Sequence, residues 1–146
     1  MATEGVPVFG GTVKWGTDGT TFAAIPGVKN IVVPTVSRDY NDRTSLDSTG
    51  GFKEYSPGLK DGGEITVECF YTPDLYSDAL AKQNGDAVIY FEVTLPAGAG
   101  QAAGDEFVYT GYVTVEVPSA EVGADMMLNI NVRTTGAPYY TKGAAA

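Results

Sequence analysis

Histidine is absent from this chain of 146 residues, and cysteine occurs only once. The absence of histidine removes the commonest general base and the commonest transition-metal ligand. It also excludes a Ser–His–Asp or Cys–His catalytic arrangement within the chain. The single thiol, Cys69, has no partner for an internal disulfide, which fits folding in a reducing cytoplasm. We therefore expect no enzymatic activity, no cofactor and no bound metal.

Basic residues are scarce as well, and long apolar runs are missing. The chain has 9 Lys and Arg against 18 Asp and Glu, a formal net charge of −9. Affinity for nucleic acid comes mainly from cationic side chains, so a nucleic-acid binder is disfavoured. An acidic wall would suit a conduit that must not retain a polyanion, although acidity is also ordinary for a cytosolic protein. No run approaches the ~20 apolar residues that span a bilayer, so we expect no membrane partner.

The abundant residues favour an all-β domain. Hydrophobic residues make up 43% of the chain, and 19 glycines are spread among Thr, Val and Tyr, which favour strands. Four segments alternate apolar and polar side chains with the period of a half-buried strand: 64–72, 86–95, 106–117 and 125–134. The length predicts a single domain. Cys69 falls on the apolar face of the first segment, where we expect a small buried hydrophobe.

One helix is predicted between the first two of these strands. Thr72 is a favourable N-cap, Pro73 suits the first helical position and Asp74 complements the helix dipole. Gly85 stands where a left-handed C-cap is expected, so the helix ends one or two residues before it. Antiparallel strands with one buried face predict a two-sheet β-sandwich or an open barrel, with the helix packed at one end.

Other arrangements with known chemistry are weak in this sequence. Asp39, Asp42 and Asp47 could coordinate a hard cation, but their spacing matches no EF-hand, and solvated charges are the simpler interpretation. The glycine-rich stretch 98–104 is not followed by Gly-Lys-Ser/Thr, so a turn is favoured over a phosphate-binding loop. Trp15 and the tyrosines are more typical of core or interface packing than of a sugar-binding platform.

The stretch 41–62, NDRTSLDSTGGFKEYSPGLKDG, is the most informative part of the chain. It lies between two strand-like segments, and compact domains seldom carry a structureless connection of about twenty residues unless it is functional. It mixes both charge signs with Leu46, Phe52, Tyr55 and Leu59, which a solvated loop has no reason to display. We predict an irregular loop that becomes ordered on a partner.

Several short elements in and around this stretch occur in the order found in a known family. The elements are IPGV (25–28), SRD (37–39), TSLDSTGGF (44–52), EY (54–55), PGLKD (57–61) and EI (64–65). Each is common by itself, whereas the ordered set at this spacing is far more specific. Over about a third of its length, the chain resembles the major tail tube proteins of long-tailed, lambda-like bacteriophages (siphoviruses).

The resemblance implies a structural virion protein. In that family the subunit is a β-sandwich with a flanking helix, six subunits form a ring, and rings stack head to tail into a hollow tube. Viral DNA passes through the tube during infection without specific binding. The implied partners are further copies of the chain and the tape-measure, tail-terminator and tail-tip proteins. The implied location is the virion tail, after folding in the cytoplasm of the bacterial host.

The resemblance also implies an organisation for the chain. It predicts one tail-tube domain over 1–146, with an N-terminal arm (1–19), a long assembly loop (41–62) and a C-terminal arm (136–146). The loop and the arms are expected to become ordered on neighbouring subunits.

Two sets of site residues are predicted. The subunit-interface residues lie in or beside the loop, and they are Arg38, Asp39, Thr44, Leu46, Phe52, Glu54, Tyr55 and Leu59. Phe52 and Tyr55 are the expected anchors, because aromatic groups dominate protein interfaces. The second set consists of acidic groups on polar strand positions that could face the bore, namely Glu68, Glu92 and Glu116. Ordinary solvent exposure is the plain alternative for these three.

Two alternatives stay open at this point. Within the same class, the chain could form the inner tube of a contractile tail, a phage-derived bacteriocin or a gene-transfer particle. A sheath gene beside its own gene would favour that version. In a different class, it could be a monomeric β-sandwich that binds a ligand, which would stay monomeric and give a saturable binding signal.

Overall fold

The computed structural model describes residues 10–145, and in that range the chain forms nine strands and one α-helix. The strands are β1 (Thr12–Gly16), β2 (Ala23–Ala24), β3 (Ser37–Asp42), β4 (Tyr55–Asp61), β5 (Glu64–Phe70), β6 (Ile89–Thr94), β7 (Glu106–Glu116), β8 (Met127–Thr134) and β9 (Tyr139–Thr141). The helix is α1 (Pro73–Asn84), and a short 3-10 turn covers Thr49–Gly51. The predicted all-β class with one short helix is confirmed.

Seven strands form one antiparallel sheet in the order β2-β1-β6-β7-β8-β5, with β9 also paired to β7. The predicted alternation holds along these strands, because one side chain in two points into the core. Phe91 of β6 and Tyr109 of β7 stack at the centre, with ring centroids 5.3 Å apart. Cys69 of β5 is fully buried in the same core, as expected for a small hydrophobe.

The long strand β7 connects two halves of this sheet. Its first half, 106–111, pairs with β6, and its second half, 111–116, pairs with β8. Gly111 belongs to both halves, and a Cβ at that position would come within 2.6 Å of the Arg133 carbonyl oxygen on β8. Only glycine therefore lets β8 approach β7 where the pairing changes sides. Both halves bury the same face and contribute to one core.

The segment after β2 brings the two ends of the sheet together. The Ile25 N–H donates to the Val13 carbonyl of β1 at 3.0 Å, and the Phe70 N–H of β5 donates to the Gly27 carbonyl at 3.1 Å. Ile25 and Gly27 are only two residues apart, so at most about 7 Å separates them. The strands to which they bond, β1 and β5, therefore lie close together, although they are far apart in the strand order. The main sheet is therefore curled nearly closed, in the manner of the predicted open barrel.

Helix α1 covers one end of this curled sheet. Thr72 is its N-cap, and its hydroxyl accepts the Leu75 N–H at 3.3 Å. The side-chain oxygen of Gln83 accepts the N–H of Val115 at 2.9 Å. This hydrogen bond satisfies a backbone N–H of β7 that has no partner on β6, because β6 pairs only with 106–111. The expected left-handed C-cap at Gly85 is wrong. Gly85 keeps a right-handed conformation with φ −75°, and the positive φ, 52°, falls on Asp86.

The stretch 41–62, predicted as an irregular loop, is instead part of a second, two-stranded sheet, with 41–42 in β3, 55–61 in β4 and 43–54 forming the connection between them. Strands β3 and β4 pair antiparallel from Ser37 and Asp61 at the base to Asp42 and Tyr55 near the tip. A register shift follows Arg38, where the pairing contains a bulge. Glycine, proline, aspartate and asparagine are disfavoured in strands, so the composition of this stretch did not predict a hairpin.

Parts of both predicted arms belong to the main sheet. Residues 12–16 of the N-terminal segment form β1, and 139–141 of the C-terminal segment form β9. Residues 1–9 and 146, which complete the two predicted arms, lie outside the described residues.

Candidate assembly surface

Large apolar side chains are exposed along the β3–β4 hairpin and just before it. They are Val36, Tyr40, Leu46, Phe52, Tyr55 and Leu59. None of these groups belongs to the core or packs against it. Exposed apolar groups gathered on one hairpin make it a candidate interaction site. We refer to residues 36–61 as the hairpin surface.

The hairpin register places two tyrosines on one face. Tyr40 lies opposite Pro57, and Asp42 lies opposite Tyr55. Because side chains alternate along each strand, Tyr40 and Tyr55 share a face at diagonal positions, within reach of one another. Sequence reasoning selected Tyr55 and missed Tyr40. The segment 37–42 has no buried face and no apolar alternation, so only the pairing of β3 with β4 identifies Tyr40.

Polar contacts fix the tip of the hairpin. The Thr44 hydroxyl accepts the Glu54 N–H at 2.8 Å, and the Ser48 hydroxyl donates to the Glu54 carboxylate at 3.1 Å. The Asp42 carboxylate accepts the Thr44 N–H at 2.8 Å, and hydrogen bonds from Thr44 hold the pKa of Asp42 below its usual range. Thr44 and Glu54 therefore shape the tip, while Leu46 is left free to make contacts.

The base of the hairpin is tied to β8. The Arg133 guanidinium lies 3.1 Å from the Asp61 carboxylate, and both side chains are more than half exposed. The Gly63 N–H donates to the same carboxylate at 2.9 Å. This backbone hydrogen bond, followed by the charge of Arg133, lowers the pKa of Asp61. An exposed ion pair contributes little stability. The position of the hairpin base is therefore fixed mainly by the two residues, 62–63, that connect β4 to β5.

The structure brings the eight predicted interface residues together on the hairpin surface. All of them are solvent-exposed: Arg38, Asp39, Thr44, Leu46, Phe52, Glu54, Tyr55 and Leu59. Their contact with a neighbouring subunit stays a prediction.

The three predicted lumen residues separate into two places. Glu68 on β5 and Glu116 on β7 both lie opposite Asn129 of β8, so they form one row across three strands. Glu92 lies on β6, opposite Lys14 on one side and Val108 on the other. Strands β6 and β5 are separated by two strands of a curled sheet, so their outer faces point in different directions.

Reactive chemistry is weak in the described part of the chain. Burial raises the pKa of the Cys69 thiol to about 11, and its Sγ contacts the Leu128 carbonyl oxygen at 3.4 Å. Thiolate, the nucleophilic form, is therefore scarce at neutral pH. Within 10–145, no group of three or more Cys, Asp or Glu side chains is placed to hold a metal ion. The only helix in that range is too short and too polar to cross a membrane.

Comparison with solved structures gives the class of fold. The chain aligns with a chain of the cryo-EM structure of the anti-feeding prophage (AFP) baseplate, 6-fold symmetrised, over 97% of its own length and 98% of that chain. The TM-score is 0.69 and the sequence identity is 8%. No protein-family model and no curated protein sequence matches the chain.

A second solved structure is that of a tail tube, the class of protein that the sequence resembles. The chain aligns with the SPP1 tail tube, solved by solid-state NMR and cryo EM, over 94% of its own length and 81% of that chain. The TM-score is 0.61 and the identity is 16%. The predicted fold of the phage tail tube type is thereby confirmed. At these identities the likeness concerns the fold, and the assignment to lambda-like siphoviruses stays a prediction.

Proposed function

We propose that this chain is a structural virion protein that polymerises as stacked hexameric rings into the hollow tail tube of a long-tailed bacteriophage. The observation that carries the proposal is the hairpin surface, a set of six exposed apolar groups on a fold shared with a tail tube protein. The 6-fold symmetry of the AFP baseplate supports rings of six.

The hairpin needs a partner for physical reasons. A two-stranded hairpin is at best marginally stable in water, and both strands of this one leave their large side chains in solvent. A second copy of the chain would bury Phe52, Tyr55 and Tyr40. We place the hairpin against a different surface of its neighbour, as stacking head to tail requires. Such a heterologous contact repeats, and it generates rings or filaments.

The acidic row on β5, β8 and β7 is the part that we place towards the bore. Glu68 and Glu116 flank Asn129 on an outer face that carries no large exposed apolar group at that row. Carboxylates there would repel a passing polyanion and keep DNA from adhering to the wall. We place Glu92 outside the bore, because it lies on β6 opposite Val108, away from the row that contains Asn129. Tape-measure, terminator and tail-tip proteins complete the proposed partners, and the virion tail is the proposed location.

Microscopy of the purified chain tests this function. Concentrated protein examined by negative stain should show hollow cylinders of uniform width, and antibodies to the chain should label the tail shaft of virions. A chain that stays monomeric at every concentration and is missing from the shaft would refute the proposal.

A particle of another kind is the second candidate. The AFP baseplate chain matches with the higher TM-score and over nearly its whole length, whereas the alignment covers 81% of the SPP1 chain. This observation keeps open, as the alternative, the inner tube of a contractile tail, a phage-derived bacteriocin or a gene-transfer particle. A sheath gene next to the gene for this chain would decide for that version.

A further inference from the structure

The first half of strand β7 has one side that the core strands leave free. In the main sheet, β6 pairs with the first half of β7 on one side, and β8 pairs with the second half on the other side. Strand β9 pairs with the free side at 106–108. The Thr135 N–H extends this contact by donating to the Thr110 carbonyl at 2.9 Å. We refer to residues 139–145, which begin with β9, as the C-terminal cover.

The strand beneath the C-terminal cover has the composition of an aggregation-prone segment. Residues 107–115, FVYTGYVTV, are rich in aromatic and β-branched side chains and contain no charge and no proline. Segments of this kind pair readily with other chains when their edge is exposed. Glu106 and Glu116 flank the run, and flanking charges are a common means of opposing such pairing. The free side of β7 is therefore an edge that needs protection.

Strand β9 is itself a poor template for further pairing. It is only three residues long, Pro138 precedes it and Lys142 follows it. Short length, proline and lysine are features by which natural edge strands avoid edge-to-edge association. The C-terminal cover therefore replaces an uncharged, strand-forming edge with a short edge that other chains cannot easily extend.

One carboxylate holds the C-terminal cover in place. Asp105 accepts the Gly143 N–H at 2.8 Å and the Gln101 side-chain N–H at 2.9 Å. It also accepts the Tyr140 hydroxyl at 3.1 Å. An added Cβ at Gly143 would collide with the carbonyl oxygen of Ala103, so this approach is close. Within the described residues, the buried core includes nothing from the cover, so small changes around Asp105 should detach it while the core stays folded.

We propose that the C-terminal cover is an edge guard: docked on Asp105 of its own chain, it keeps β7 from pairing with strands of other chains and so prevents irregular aggregation. The backbone groups of 106–108 that face the free side bond to β9, so they are not offered to an approaching strand. Tyr139 and Tyr140 stay 70% and 56% exposed, so the cover adds little to the core and acts by what it excludes. The inference does not depend on the proposed function, because a chain that formed no tubes would need the same protection.

Two substitutions that detach the C-terminal cover test this role in the full chain. Asp105→Ala removes the acceptor of all three hydrogen bonds, and Gly143→Ala places a Cβ against the Ala103 carbonyl oxygen. At a concentration below that needed for tubes, each variant should form irregular, thioflavin-positive aggregates roughly tenfold faster than the wild type. The matched control is Asp125→Ala, which removes the same charge from an exposed position in the turn between β7 and β8. It should aggregate at the wild-type rate.

The emission of Trp15 shows whether each variant is folded. Trp15 is the only tryptophan and lies in the buried core, so its emission should be unchanged in all soluble variants. If Asp105→Ala alters this emission, Gly143→Ala decides the test.

A covalent link shows whether the edge of β7 is the cause of aggregation. Val108 and Tyr139 lie opposite one another in the register of β7 and β9. When Val108→Cys and Tyr139→Cys are added to Asp105→Ala, oxidation or a short thiol cross-linker should join the two strands within one chain. Aggregation should then return to the wild-type rate, and cleavage of the link should make it fast again. The native Cys69 is buried and should not take part.

The outcomes separate the edge guard from the proposed function. Aggregation of the folded Asp105→Ala and Gly143→Ala variants at the wild-type rate would overturn the guard. Fast aggregation that the link leaves unchanged would also overturn it, because the associating surface would then lie elsewhere. Microscopy distinguishes uniform cylinders, which report tube formation, from irregular aggregates, which report loss of the guard. A wild type that forms no tubes would therefore refute the proposed function and leave the test of the guard intact.

Discussion

Truncation of Phe52 should separate the requirements of the fold from those of assembly. Phe52 is 75% exposed in the single chain, whereas Phe91 at the centre of the core is 0% exposed. Substitution of an exposed side chain usually changes the free energy of unfolding by no more than about 0.5 kcal/mol. Phe52→Ala should fall in that range, while Phe91→Ala should cost about 3–5 kcal/mol.

The same substitution should have a large effect on polymerisation. Burying a phenylalanine side chain contributes about 1.5–3 kcal/mol relative to leaving it exposed. Because three quarters of Phe52 is exposed before assembly, most of this contribution would be gained in the subunit contact. A difference of about 1.4 kcal/mol is a factor of ten in an equilibrium constant. The concentration needed to form tubes should therefore rise roughly tenfold to a hundredfold in Phe52→Ala.

Sedimentation and light scattering over a concentration series would measure this threshold, and urea unfolding of the dilute chain would measure stability. Val122→Ala is the matched control, since Val122 is also fully exposed but lies in the turn between β7 and β8. It should leave both quantities unchanged. An unchanged threshold for Phe52→Ala would refute the assignment of the hairpin surface to assembly. A loss of several kcal/mol of stability would show instead that Phe52 serves the fold.

Three further predictions concern the edge of β5, the C-terminal residues 139–145 and the proposed bore. Asn30→Ala should lower the free energy of unfolding by about 1–3 kcal/mol in urea titrations, because its side chain bonds two backbone groups of β5 and each such bond contributes about 0.5–1.5 kcal/mol; an unchanged midpoint would contradict this. The hydrogen bond from the Gly143 N–H chiefly, and then that from the Gln101 side chain, lowers the pKa of Asp105 below its usual value of 3.8. The docking of residues 139–145 on Asp105 is therefore stabilised above pH 3.8 and should loosen as the pH falls below it. The protection of the 139–145 amides, measured relative to their intrinsic exchange rates at each pH, should therefore fall in acid in the wild type and be low at every pH in Asp105→Ala, and a pH-independent protection in the wild type would be the contrary result. Glu68→Lys combined with Glu116→Lys should permit tube formation but slow DNA ejection, whereas Glu92→Lys should eject normally; equal rates for both variants would count against the assigned bore face.

The part of the fold that sequence predicted well is the part with strong periodicity. In β5 and β8 every second residue is apolar, and a strand with one buried face is the structure that this pattern satisfies. The start of α1 was equally clear, since Thr72 and Pro73 each have a defined role at a helix N-terminus. Local chemistry determines both features, so they can be read without knowledge of the rest of the chain.

Features that depend on distant contacts were missed. The hairpin has no buried face, so its strands show no alternation, and Pro57 and Gly58 oppose strand formation by propensity. Strand β9 is only three residues long and depends on Asp105 for its anchoring. The separation of Glu92 from Glu68 follows from sheet order and curling, which no single segment encodes.

The near closure of the main sheet limits where copies of the chain could pair strand to strand. An open sheet edge invites pairing with any other edge, and proteins usually cover it. Here Asn30 substitutes for a strand partner, since its side-chain amide donates to the Thr66 carbonyl at 3.3 Å and accepts the Glu68 N–H at 2.9 Å. Helix α1 covers β7 at Val115. With these edges occupied, we expect indiscriminate strand pairing to be suppressed and contact between copies of the chain to be directed to the hairpin surface.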